Sequence, residues 1–120
     1  MVPRFPDVAD FARLHRVVLL RHAASRIDVD ISLGILPFET ETVERSTIHH
    51  VGTLEVRLPT IEDLIILKAV AHRPKDLLDI QVLIEIHSDL DRRRIRQWVS
   101  EFAEALDMPE LWDDIASWLV

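Results

Sequence analysis

The sequence contains no cysteine and two glycines. Without cysteine the chain cannot form a disulfide, bind a metal through thiolates or use a cysteine nucleophile. Two glycines are too few for a glycine-rich loop that wraps around phosphates. No stretch approaches the roughly 18 apolar residues of a membrane span, and residues 1–10 lack the apolar block of a signal peptide. These absences predict a cytoplasmic protein without membrane contact.

The chain also contains fewer basic than acidic residues. The chain has 14 Lys and Arg against 21 Asp and Glu, so its net charge is −7. This balance argues against a broad basic face for nucleic acid. The 120 residues, of which 48% are hydrophobic, suffice for a folded core, and we predict a single domain over residues 1–120.

Residues 1–58 are predicted to form a sheet with a leading helix. Apolar spacing favours a short helix at residues 7–16. Branched apolar runs, strict alternation and a turn at Gly52-Thr53 indicate short strands. About four strands are expected, at residues 17–20, 27–32, 47–51 and 54–58.

Residues 59–120 are predicted to form about four helices. Thr60 is a favourable N-cap with an acid three residues later, as in a capping box, and Pro74 suits a first helical turn. The helices are expected at residues 60–71, 74–86 and 92–106, and from Asp107 onward. The third carries an apolar stripe made of Ile95, Trp98, Val99, Phe102 and Leu106. Strands followed by helices predict an α+β fold.

Two aspartates on the second predicted strand are the first candidate site. Residues two apart in a strand point to the same side, so Asp28 and Asp30 would share one face and the apolar residues between them the other. Two carboxylates so placed can share a divalent cation. The alternative is a polar strand face that is exposed to water.

Lys68 is the second candidate. It is the only charged residue between Leu64 and Ala71, in a helix that is apolar nearly all round. Burying an ammonium without a partner is costly, so we expect an anionic group beside it. That group is a bound ligand or a neighbouring carboxylate, unless the long stem carries the charge to the surface.

The joint between the first two helices carries further charges. Asp76 and Asp79 share a helix face because they are three residues apart. With Lys68 and Arg73 they would form one alternating charge network, which serves as structural support or as a phosphate grip.

Four arginines begin the third helix, namely Arg92, Arg93, Arg94 and Arg96. We interpret them as a solvated helix face, with nucleic-acid contact as the alternative.

Three segments together resemble a bacterial nucleotidyltransferase. They are the acid strand with its continuation (residues 26–39), a helix start (residues 58–68) and the charged joint (residues 71–80). The most specific feature is Pro-Thr-x-Glu-Asp-Leu-Ile joined to Lys-x-x-Ala-x-Arg-x-Lys-Asp-x-x-Asp. The chain is most similar to the later portion of the minimal group that includes the abortive-infection, AbiEii-type, toxin nucleotidyltransferases.

This resemblance implies a nucleotidyltransferase-like fold, with a short mixed sheet followed by the helices. It also implies Mg²⁺-dependent transfer of a nucleotide from a nucleoside triphosphate (NTP) to an unknown acceptor, in which cations and a lysine neutralise phosphate charge. The roles it implies are metal ligation by Asp28 and Asp30, catalysis by Asp30, Lys68 and Asp76, and nucleotide binding by Lys68, Arg73 and Asp79.

One part of the family pattern is not found. The glycine-serine turn and the first acid pair do not precede Asp28, as if an upstream strand–helix–strand unit were missing. We therefore expect this chain alone to be incomplete or inactive, and to be an enzyme if a longer form supplies that acid pair.

The alternative is a non-catalytic binding or assembly module on the same fold. An open sheet edge would let it form a homodimer or bind a toxin–antitoxin-type partner protein. A third candidate partner is tRNA, through the arginines near Arg92.

Overall fold

The computed structural model describes residues 1–10, 17–32 and 36–120. They form two compact units, Met1–Thr40 and Glu41–Val120. Strands and helices occur together, which confirms the α+β class. The single-domain organisation stays a prediction.

The first unit contains a three-stranded antiparallel sheet. Its strands are β1 (Val2–Pro3), β2 (Val17–His22) and β3 (Ile27–Ser32), in the order β1-β2-β3. Between β2 and β3, Arg26 adopts a left-handed φ of 58° and its N–H donates to the carbonyl oxygen of His22 at 2.7 Å. The alternating run is thus confirmed as a strand, whereas β1 was not predicted because two residues carry no periodic signal.

Helical structure in this part of the chain begins near the predicted place. Residues 8–10 are helical, and the rest of the helix predicted at residues 7–16 lies outside the described residues. Helix α1 (Pro37–Arg45) follows the sheet, and the division between the two units falls within it. The Leu36 N–H donates to the Glu39 carboxylate at 3.1 Å and caps the start of α1.

The second unit contains a β-hairpin of strands β4 (Thr47–Val51) and β5 (Leu54–Leu58). Gly52, with a φ of 63°, supplies the left-handed residue of the predicted turn. Within the described residues the strands therefore form two antiparallel sheets, of three and two strands, where one mixed sheet was expected. Short turns join β2 to β3 and β4 to β5, and connections of that length permit antiparallel pairing alone.

Four α-helices follow the hairpin and confirm the predicted helical part. They are α2 (Ile61–Ala71), α3 (Pro74–Ile86), α4 (Arg92–Ala105) and α5 (Glu110–Ala116), with a 3₁₀ turn at Ser117–Leu119. Helix α2 packs against α3 and α4, and α4 packs against α5. The fully buried apolar residues of this core are Ile65, Ile66, Ala69, Ile80, Ile95, Val99, Leu111 and Ile115. Among the described residues, no helix combines the length and apolar character needed to cross a bilayer.

The apolar stripe predicted on α4 is buried in part. Ile95 and Val99 are fully buried, and Trp98 and Phe102 are half-buried. Leu106 is exposed because it lies just beyond the last turn of the helix. The core-facing row therefore ends before the predicted helix does.

Asp107 ends α4 and does not begin the next helix as predicted. It adopts a left-handed φ of 53°, and the N–H of Met108 donates to the carbonyl oxygen of Ala103 at 2.8 Å. This is the Schellman pattern of helix termination, in which glycine is the usual left-handed residue. Helix α5 begins later, at Glu110.

Candidate functional site

Strand β3 presents its two aspartates to the same side, where two arginines bind them. Arg21 lies opposite Asp28 on β2, and its Nε donates to Asp28 Oδ1 at 2.7 Å. Arg4 follows β1, where its backbone N–H donates to the carbonyl oxygen of Leu19 at 3.2 Å. The Arg4 guanidinium donates to Asp28 Oδ2 at 3.4 Å and also to Asp30. The predicted carboxylate pair therefore exists, and arginines neutralise it.

Both carboxylates are accessible to water. The side chains of Asp28 and Asp30 are 42% and 65% exposed. The hydrogen bond from Arg21 lowers the pKa of Asp28 more than desolvation raises it, and Arg4 adds to the effect. Asp28 is therefore ionised at neutral pH.

This aspartate pair would supply only part of the ligands of a metal site. Among the described residues, no group of three or more His, Cys, Asp or Glu is placed to hold a metal. Mg²⁺, however, is commonly bound through one or two carboxylates together with substrate phosphates and waters. Asp28 and Asp30 fit that smaller requirement, and a cation bound there would compete with Arg4 for the same oxygen atoms.

The second candidate region lies where α2 meets α3. We call it the charged corner, and it consists of the four side chains that were predicted together, Lys68, Arg73, Asp76 and Asp79. His72 ends α2 with a left-handed φ of 54°, and its N–H donates to the carbonyl oxygen of Lys68 at 2.9 Å. Pro74 begins α3 two residues later. This short connection brings the last turn of α2 beside the first two turns of α3.

Two carboxylates contact the Lys68 ammonium. Its Nζ lies 2.8 Å from Asp79 Oδ2 and 3.8 Å from Asp76 Oδ1. Arg73 donates to Asp76 through its backbone N–H at 3.1 Å, through Nε at 2.7 Å and through Nη2 at 3.1 Å. The predicted charge network is confirmed, and the anionic group beside Lys68 is a carboxylate of this chain.

Burial differs sharply within the charged corner. The Asp76 side chain is 1% exposed, whereas Lys68, Asp79 and Arg73 are 24%, 37% and 71% exposed. Hydrogen bonds from Arg73 lower the pKa of Asp76 more than burial raises it, and the Lys68 charge acts in the same direction. The same pairing raises the pKa of Arg73. The corner thus has an ionised carboxylate at its base and two cations within reach of solvent.

A second ion-pair network in the same unit was not predicted. Asp63 is fully buried in the first turn of α2, and it accepts from Arg94 Nε at 2.8 Å and from Arg45 Nε at 3.2 Å. Arg94 also donates to Glu41 at 2.6 Å through Nη1. Thr60 caps α2 as predicted, since its hydroxyl accepts from the Asp63 N–H at 3.2 Å. The Asp63 carboxylate, however, binds these arginines.

The arginines of α4 are therefore not one solvated face. Arg94 is 11% exposed and ion-paired, and Arg92 donates to the carbonyl oxygen of Trp118 at 3.3 Å. Arg93 and Arg96 are exposed, as that interpretation required. They remain the candidates for nucleic-acid contact.

The position of Arg94 in the sequence could have predicted that it is ion-paired, because Arg94 lies at the border of the apolar stripe on α4. It directly precedes the buried Ile95 and lies one turn before Trp98, whose ring centre is 5.9 Å from the guanidinium. Burial lowers the pKa of Arg94, but hydrogen bonds to Asp63 and Glu41 outweigh it and leave the pKa raised. An arginine at the border of an apolar stripe requires such partners.

The structure thus brings together the predicted site residues within each unit. Asp28 and Asp30 meet on β3 in the first unit, and Lys68, Arg73, Asp76 and Asp79 meet at the charged corner in the second.

Comparison with known families yields a match over most of the chain. The family model described as "Nucleotidyl transferase AbiEii toxin, Type IV TA system" matches residues 7–113, a range that includes the acid strand and the charged corner. A search of curated proteins gave no match.

Proposed function

The chain belongs to the AbiEii nucleotidyltransferase toxin family, and on that premise we propose that it takes part in Mg²⁺-dependent transfer of a nucleotide from an NTP to an acceptor. We assign it to a type IV toxin–antitoxin system, with a protein antitoxin as its partner. The charged corner is the region that we assign to binding the triphosphate.

The observation that carries this proposal is the position of Lys68. Its stem belongs to an apolar helix, and its ammonium pairs with Asp79, whose carboxylate is more than a third exposed. Ion pairs open to water contribute little to stability because water screens them. A triphosphate carries several negative charges, and charge-assisted hydrogen bonds to phosphate are strong. Such a ligand would therefore displace Asp79 from Lys68 at small cost, and the nucleotide-binding role of Asp79 itself stays a prediction.

Arg73 offers a second phosphate-binding group beside Lys68. Its side chain is 71% exposed, and two of its guanidinium nitrogens are held by the buried Asp76. The fixed fork of a guanidinium suits phosphate oxygens. The three hydrogen bonds from Arg73 favour a positioning role for Asp76, and its catalytic role stays a prediction.

The acid strand contributes separately to the proposed activity. Asp28 and Asp30 would hold Mg²⁺, which neutralises phosphate charge when it is bound. Arg4 would then be free to leave the carboxylates. The catalytic role of Asp30 stays a prediction.

Nucleotide binding tests this proposal directly. Isothermal titration of ATP, CTP, GTP and UTP with Mg²⁺ should give binding of at least one nucleotide. Lys68→Ala should weaken that binding by about tenfold or more, since it removes a charge-assisted hydrogen bond to phosphate. Lys75→Ala is the matched control, because Lys75 is an exposed lysine in the first turn of α3, and this variant should bind nucleotide like wild type. Failure of every nucleotide to bind, to this chain and to a version extended upstream, would overturn the proposal.

A second candidate function is a non-catalytic module in which the charged corner is structural. The observation that favours it is that both cations already have carboxylate partners within the chain. On this hypothesis Lys68→Ala lowers the melting temperature without a specific loss of nucleotide binding. Lys68→Arg, which keeps the charge, would restore the melting temperature.

A further inference from the structure

Strand β5 has an open edge. In the part of the chain that the structure describes, β5 pairs with β4 in a sheet of two strands. Every residue of β4 is exposed, and Val56 alone in β5 is half-buried. An isolated two-stranded hairpin is marginally stable, and an open edge is a template for another strand. The backbone N–H and C=O groups on the outer edge of β5 are therefore available to pair with another strand.

The sequence of β5 is complementary to itself in the antiparallel direction. It reads Leu-Glu-Val-Arg-Leu from Leu54 to Leu58. When two copies run antiparallel with Val56 opposite Val56, Glu55 of each copy lies opposite Arg57 of the other. Leu54 then lies opposite Leu58. Opposite charges directly across an antiparallel pair are stabilising, and so are apolar pairs.

We propose that two copies of this chain associate through the β5 edges, antiparallel and centred on Val56. A twofold axis requires each copy to use the same surface, and this register satisfies that requirement. Arg57 is available for the pairing, since its contact within the chain is a long hydrogen bond of 3.5 Å to Ser46 Oγ. The proposal does not depend on nucleotide binding.

The other strand of the hairpin lacks this complementarity. An antiparallel pairing of two β4 strands centred on His49 would set His49 against itself and Ile48 against His50. Pairing through β5 instead gives the strand order β4-β5-β5-β4. The Leu54, Val56 and Leu58 side chains of both copies then lie on one face, next to Val51 of β4. The result is a four-stranded sheet whose two central strands carry a continuous apolar row, flanked on each β4 strand by Val51, His49 and Thr47.

The pairing is expected to be weak. A five-residue edge is small compared with a standard interface of about 1,600 Å². The average mass of the 13.9 kDa chain in sedimentation equilibrium should therefore rise towards twice that value as concentration increases. A single species of 13.9 kDa at every concentration up to ~1 mM would overturn the proposal.

Charge exchange tests the register. Arg57→Glu alone places two acids opposite each other in both pairs that flank Val56. Glu55→Arg alone places two bases opposite each other in the same pairs. Each variant should raise the dimer dissociation constant by roughly tenfold or more. The two variants mixed in equal amounts should associate again, because acids then face bases, and so should the double variant with both changes.

A change of charge elsewhere is the control. Arg96→Glu alters an exposed arginine of α4 and should leave the dissociation constant at the wild-type value. The proposal fails if either single β5 variant associates like wild type, or if neither the mixture nor the double variant restores association. Recovery in the mixture cannot arise from a merely misfolded hairpin.

Discussion

Aspartates pair with arginines both on strand β3, the acid strand, and in the second unit, which contains the helices α2 to α5 and is called the helical unit below. The aspartates of the acid strand are exposed to water, whereas those of the helical unit are buried. Asp28 and Asp30 are 42% and 65% exposed, whereas Asp63 and Asp76 are at most 1% exposed. Water screens an exposed ion pair, which therefore contributes little to stability. Removing one member of a buried pair leaves an uncompensated charge and costs about 3–5 kcal/mol. The buried pairs of Asp63 and Asp76 are therefore expected to stabilise the fold, whereas the exposed pairs of Asp28 and Asp30 are expected to contribute little.

The largest effect is expected at Asp63. Asp63→Asn removes the charge that Arg94 and Arg45 share, in a fully buried position. Arg94 keeps Glu41, so we expect the low end of the range, a loss of about 3 kcal/mol in the free energy of unfolding in urea. Asp89→Asn, at an exposed position, should change it by less than about 0.5 kcal/mol. Equal effects of the two substitutions would contradict the contrast in burial.

Asp76 should have the next largest effect. Asp76→Asn removes the charged acceptor of three hydrogen bonds from Arg73. We expect a loss of about 1–3 kcal/mol, less than at Asp63, because Arg73 can turn to water. Asp79→Asn should cost less than Asp76→Asn, since Asp79 is 37% exposed and has Lys68 as its hydrogen-bond donor. Urea unfolding of both variants measures the order, and its reversal would show that burial does not control the charged corner.

The pH dependence of stability gives a second test of the role of Asp76. The pKa of this carboxyl is lower in the folded protein than its ordinary value, chiefly through Arg73. Its contribution to stability is therefore fully present above the unfolded pKa of about 3.9 and is lost as pH falls through the folded pKa. The difference in unfolding free energy between wild type and Asp76→Asn should be constant from about pH 5 to 8 and shrink below about pH 4. A difference that grows on acidification would contradict the sign of this pKa shift.

The helices of residues 59–120 could be predicted closely from the sequence, because residues within or beside each helix determine where it begins and which face is buried. The N-cap at Thr60 and the first-turn Pro74 fix two helix starts, and one helical turn brings Asp76 and Asp79 together on one face. The charged corner follows from those local rules, since two residues connect α2 to α3.

The features that were missed depend on distant residues or lack their usual local sequence signal. Asp63 binds Arg94, which is 31 positions away, and no periodicity links those two positions. The left-handed Asp107 replaces the glycine that usually marks a helix end. The division into two sheets depends on which strands meet in space, which alternation within one strand does not encode.

The smallest effect on stability is expected at Asp30. Its carboxylate is 65% exposed, and Arg4 retains the charged Asp28 as a partner when Asp30→Asn removes the charge of the other carboxylate. The urea midpoint should therefore stay within the scatter of wild type. A loss as large as that of Asp76→Asn would show that Asp30 stabilises the fold as strongly as the buried Asp76 does. If the strand instead exchanges arginine for Mg²⁺, the same variant should unfold like wild type and bind Mg²⁺ with NTP less tightly. That separation of stability from ligand binding is the result that an exposed, exchangeable carboxylate pair requires.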